Sequence, residues 1–193
     1  MKRSFRVERT YPFERELVWQ SLTDPELIAA WLMPNDFRPE LDHVFTLRTD
    51  PAPGFDGIVH CRVLALEPLR LMRWAWRGGA IDTEVSFELS DAIVLSQPAT
   101  RLIVEHSGFE GLPGVLTSFI LQAGSRRIYG TRLPSVIRAR REARAEIPAA
   151  AQHSSKDRGL WWWLARAFAP ILVPARARRE RERERERARA PKP

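Results

Sequence analysis

Few residues in this chain have the type and spacing to do chemistry. There are four histidines and one cysteine. His43, His60 and His153 show no metal-ligand spacing with one another, and a single cysteine excludes a multi-cysteine zinc site and a disulfide framework. The spacing predicts no metal centre. Cys61 alternates with Val59 and Val63, so it reads as a small buried hydrophobe rather than a nucleophile. His106 alternates with Leu102 and Val104 and is predicted to point inward. There it would orient a ligand, exchange a proton, or serve as a hydrogen-bonded structural histidine. No Gly-x-Ser-x-Gly elbow, phosphate-binding glycine loop or His-Glu-x-x-His helix is present. Arg73, Asp82, Glu84 and Glu88 would serve acid–base chemistry only if they faced inward, and alternation turns both glutamates outward. No catalytic residue and no cofactor is assigned, and the balance favours a non-enzymatic protein.

The elements that must position these residues are legible from periodicity. Residues 3–11 alternate apolar and polar and predict a half-buried strand, closed by Pro12. Leu17, Val18 and Leu22 fall at helical spacing. A second short helix starts at Thr23-Asp24-Pro25, with Asp24 or Thr23 as cap and Pro25 in the first turn, and ends at Pro34. Strands are then predicted over 43–49, 57–66, 69–76, 81–89 and 100–106, the last after a loop containing Pro98. With no helices between them, an antiparallel, curved sheet follows. Residues 108–114 are predicted to break the pattern. A long helix then runs from about 115 to 146, with Leu116, Phe119, Ile120 and Ala123 as its apolar stripe. Gly124, Gly130 and Pro134 predict a kink or break within it.

The net charge of +7 is unevenly placed. Residues 1–150 hold 19 basic and 19 acidic residues, so the main domain is neutral and the excess lies beyond it. This disfavours nucleic acid as a partner of the domain. The division predicted is a domain over 1–146, a linker over 147–159, a tryptophan-rich apolar segment over 160–174, and a low-complexity Arg/Glu tail over 175–193, read as disordered. As a helix, residues 160–174 would span about 22 Å, short of the ~30 Å hydrocarbon core. Trp161, Trp162, Trp163 and Phe168 therefore suit a membrane surface, or docking on an apolar patch of the domain or of a second subunit. The N-terminus lacks the apolar core of a signal peptide, which predicts a cytoplasmic location, peripheral at a membrane if the tryptophan segment seats there.

Several stretches resemble a known family. Val18-Trp19, Leu22-Thr23-Asp24-Pro25-Glu26-Leu27 and Trp31 resemble the opening of activator-of-heat-shock-protein-90-ATPase-like domains. Leu64-Ala65-Leu66-Glu67-Pro68 with Trp74 and Trp76 resembles their middle, and Thr100 with Glu105-His106-Ser107-Gly108-Phe109 their last strand and turn. The resemblance spans about residues 3–145 and places the chain in the START-like (SRPBCC) superfamily. It implies an α+β helix-grip fold: a curved antiparallel sheet wrapped around a long C-terminal helix, with two short helices after the first strand. The turn before the 43–49 strand departs from the family's usual glycine and reads Glu40-Leu41-Asp42. The segment after 147 lies outside the family's domain.

That fold typically leaves an apolar cavity between sheet and helix. Trp31, Met72, Trp74, Trp76, Phe87, Leu102, Val104 and His106 are the candidate walls, with Phe119 and Ile120 closing it from the helix. Periodicity does not separate a lined wall from a packed core, so both readings stay open. The implied function is the binding of an apolar small molecule or lipid. The alternatives are a co-chaperone-like module docking on a chaperone and a cyclase-like enzyme.

Overall fold

Alternation along six segments builds one open antiparallel sheet. In chain order these are β1 (Lys2–Tyr11), β2 (Val44–Arg48), β3 (Ile58–Glu67), β4 (Leu71–Gly78), β5 (Ile81–Val94) and β6 (Gln97–Glu110). The structure is a computed structural model and describes residues 2–52 and 54–143. Strand order is β1-β6-β5-β4-β3-β2, so β1 and β2 form the two edges. The connection between those edges carries α1 (Arg15–Thr23) and α2 (Pro25–Trp31). Of the two candidate caps, Asp24 rather than Thr23 starts α2: its carboxylate accepts from the amides of Glu26 at 2.9 Å and Leu27 at 3.3 Å, with Pro25 at the first helical position. The C-terminal helix has three parts: α3 (Gly111–Arg127), a π-helical turn (Ile128–Arg132) and α4 (Leu133–Ala143). The α+β helix-grip architecture is the one the family resemblance implies. The linker, the tryptophan segment and the Arg/Glu tail lie outside the described residues, as does His153.

Three local features differ from the expectations. First, β5 and β6 are longer and meet in a two-residue turn at Leu95-Ser96, with φ of 50° and 61°. Two left-handed residues match the strand twist and allow the tight connection. Pro98, expected in a loop, sits in β6 opposite Ile93. β1 reaches only Thr100, so the proline's missing N–H faces an uncovered edge.

Second, Gly108 is part of β6 rather than its end. The β1–β6 register shifts there: Arg3 pairs with Phe109 and Phe5 with His106, which leaves one extra residue in β6. Gly108 adopts φ +94° at this bulge, a conformation that a side chain would strain. Strict alternation would turn His106 and Phe109 to opposite faces. The bulge brings both inward, with ring centroids 4.7 Å apart.

Third, the break in the long helix is a π-helical turn. Pro134 has no N–H to give the Gly130 carbonyl and its ring would crowd that oxygen. The turn widens instead, and the Leu133 amide bonds the carbonyl of Ile128. The face that α3 buries is also not the expected one. Gly114, Ser118 and Ser125 are its buried residues, so small residues let the helix lie close to the sheet. Ala123 and Phe119 are exposed.

Candidate functional site

Sheet and C-terminal helix enclose a pocket of about 200 Å³. Phe5 of β1, Trp76 of β4, Val85 and Phe87 of β5, and Val104 and His106 of β6 line it from the sheet. Thr117, Ile120 and Leu121 of α3 line it from the helix, with Ile128, Tyr129 and Arg132 of the π-helical turn. The widened turn thus contributes three residues to one wall. Asp50, Gly54, Gly79 and Ala80 are the exposed lining residues and mark where the pocket meets solvent.

Alternation on β4, β5 and β6 buries Met72, Trp74, Trp76, Phe87, Leu102, Val104 and His106, and Glu84, Glu88, Asp82 and Arg73 are all exposed. Trp76, Phe87, Val104, His106 and Ile120 are brought together around the pocket. Trp31, Met72, Trp74 and Leu102 are fully buried but belong to the packed core beside it. Trp31 is held there by its indole N–H, which donates to the Ser21 carbonyl at 2.9 Å.

Phe119 does not close the pocket. It is 52% exposed on the outer face of α3, and the Arg3 guanidinium lies 3.6 Å from its ring centroid. Arg3 in turn donates to Gln122 Oε1 at 2.6 Å. The cause is the rotation of α3: with Gly114 and Ser118 against the sheet, Leu121 takes the inward place and Phe119 turns out. Phe5 was legible in the alternation of β1, whereas nothing in the sequence marked Tyr129 as a wall residue.

His106 is a polar residue buried in this apolar setting. Its ring lies 5.5 Å from those of Phe5 and Trp76, and it is 6% exposed. Burial lowers its pKa to about 3, so the imidazole is neutral at physiological pH. Thr83 Oγ1 lies 2.9 Å from His106 Nε2 and donates its own hydrogen to the Trp76 carbonyl at 3.0 Å. Tyr129 is equally buried, and burial pushes its phenol well above the usual range. The Cys61 thiol is also pushed up by burial, which removes it as a nucleophile at neutral pH. Among the described residues no three His, Cys, Asp or Glu side chains gather as a metal site. No described helix is long and apolar enough to cross a membrane.

Known proteins share this architecture. The family described as "Activator of Hsp90 ATPase homolog 1-like protein" matches residues 12–137. No curated protein matches the chain significantly. Among solved structures, protein MLL2253 from Mesorhizobium loti is similar with a TM-score of 0.59 and 28% identity, over 75% of this chain and 100% of that one. CalU16 from Micromonospora echinospora is similar with a TM-score of 0.57 and 20% identity, over 90% of each chain. The Aha1 dimer from Colwellia psychrerythraea has a TM-score of 0.52 and 19% identity, over 71% of this chain and 95% of that one. At those last two identities the likeness is one of fold.

Proposed function

The chain belongs to the activator of Hsp90 ATPase homolog 1-like family, and from that premise we propose that its domain binds an apolar small molecule or lipid without catalysis. The observation that carries this reading is the pocket between sheet and helix, walled by aromatic and aliphatic side chains and open at one rim. A core packed to native density leaves few voids larger than a water, and this one is far larger. The exposed positions of Glu84 and Glu88 take acid–base groups away from the pocket and weigh against the cyclase-like alternative.

A second reading rests on a different feature. Leu112 and Phe119 are exposed on α3, as an interaction module would need. On this reading the domain docks on a chaperone, in the manner the family description suggests. Membrane-surface binding by residues 160–174 is a separate proposal, tested by co-sedimentation of the full chain with anionic vesicles.

Native mass spectrometry of gently purified full-length protein separates the two main readings. A reproducible extra mass that vanishes on denaturation supports the ligand carrier. A bare protein mass, together with stimulation of a chaperone ATPase by the chain, supports the docking module.

A further inference from the structure

The pocket's polar groups restrict what it would hold, and this step rests on the ligand-binding reading above. Thr83 has one hydroxyl hydrogen, and the Trp76 carbonyl can only accept it. The 2.9 Å contact between Thr83 Oγ1 and His106 Nε2 therefore requires the ring nitrogen to donate. His106 is thereby fixed as the tautomer protonated at Nε2, and Nδ1 carries a bare lone pair. Among the described residues nothing hydrogen-bonds His106 Nδ1 or the Tyr129 hydroxyl. Both residues are more than nine-tenths buried, and the space both line is the pocket. An acceptor left bare in an apolar site is a stable arrangement when a guest supplies the hydrogen.

We propose that His106 is the specificity-determining residue of the pocket, accepting at Nδ1 a hydrogen bond from a neutral hydroxyl on an otherwise apolar ligand, with the Tyr129 hydroxyl as a second polar point on the helix wall. A carboxylate in the same place would set negative charge against the Nδ1 lone pair, with burial opposing protonation of the ring, and the one cation among the described lining residues, Arg132, already has a partner of its own. The site therefore discriminates by charge and by donor, not by apolar area alone. An apolar molecule without a donor would fill the volume and leave the lone pair unmet, the asymmetry that makes buried hydrogen-bonding sites selective.

The test uses the full-length chain and four probes of one shape: 2-naphthol, 2-methoxynaphthalene, naphthalene and 2-naphthoate. Binding is titrated by protein NMR, with the ring nitrogens of His106 labelled with nitrogen-15. Expected is 2-naphthol binding about five- to tenfold tighter than 2-methoxynaphthalene or naphthalene, the effect of about one hydrogen bond. Naphthoate should bind weakest. The unprotonated Nδ1 resonance should shift upfield on binding naphthol and stay in place with naphthalene. This measurement needs no variant. In His106→Phe, naphthalene affinity should persist while the preference for naphthol disappears. Equal binding of naphthol, its methyl ether and naphthalene, or tight binding of naphthoate, overturns the role of His106 and leaves the ligand-binding reading standing. Failure of all four probes to bind overturns both.

Discussion

The phenolic hydroxyl of Tyr11 donates to the backbone carbonyl of Tyr129 at 2.6 Å, joining the first strand to the π-helical turn across 118 residues. In an α-helix the Tyr129 carbonyl would accept from the Leu133 amide. That amide bonds Ile128 instead, so the widened turn leaves Tyr129 O without a helical partner. Tyr11 supplies the missing donor and thereby anchors the turn that carries three pocket residues. Tyr11→Phe keeps the ring and orphans a buried carbonyl. It should lower unfolding free energy by about 1–2 kcal/mol in urea titration. An unchanged midpoint would show that the carbonyl finds another donor at no cost.

The bulge at Gly108 makes a second prediction. Its φ of +94° disfavours any side chain, and a Cβ there would come within 3.4 Å of Thr83 Cα. Gly108→Ala should cost about 1–3 kcal/mol in thermal or urea unfolding. It should also shift the resonances of His106 and Phe109, because their shared inward direction depends on the extra residue. Wild-type stability with unmoved resonances would show that the bulge does not depend on glycine.

How much of this was legible in the residues differs by element. The sheet was, because each strand buries one face and its apolar residues recur at period two: Val85, Phe87 and Leu89 are inside as they read. The start of α2 was narrowed to a cap at Thr23 or Asp24, since capping rests on chemistry within four residues, and the structure selects Asp24. The bulge was not, because glycine signals both a strand's end and an irregularity within it. The orientation of α3 was also hidden. Its most hydrophobic stripe is not its buried one, since contact with the sheet is made through Gly114 and Ser118. Tertiary packing decided the face, which is why Phe119 was misplaced and Tyr129 was missed.

The burial of His106 sets a pH dependence of known sign. Its pKa is about 3 in the fold and 6.5 ordinarily, so between these values the unfolded chain binds the extra proton. Stability is then fully present above about pH 6.5 and falls as pH drops through the window, by up to about 1.4 kcal/mol per pH unit. Burial is the cause, and no charged neighbour contributes. Glu8, Asp36 and Glu110 are held below their ordinary values of 4.5, 3.8 and 4.5 by hydrogen bonds, chiefly from Arg101, Thr46 and Lys2, so they act lower down. Urea unfolding between about pH 6.5 and 5, compared between wild type and His106→Phe, reads the contribution of this histidine by difference. The slope should be steeper in the wild type than in His106→Phe. A flat wild-type profile would mean that the ring gains its proton within the fold.

Neighbouring residues on α3 provide the sharpest contrast for the ligand-binding reading. Phe119 and Ile120 are adjacent in sequence, yet one stacks under Arg3 in solvent and the other lines the pocket. Phe119→Asp should exchange a cation–π contact for an exposed ion pair with Arg3, two interactions of similar size, about 0.5–1 kcal/mol. Stability and uptake of an apolar probe should both stay close to wild type. Ile120→Asp places a carboxylate at an apolar wall, where the charged form is disfavoured. It should weaken uptake at least tenfold at neutral pH, with partial recovery as acid protonates the new side chain. Fluorescence titration of both folded variants with 2-naphthol measures this. Loss of uptake in Phe119→Asp with normal uptake in Ile120→Asp would reverse the assigned faces of the helix and remove the pocket as the binding site.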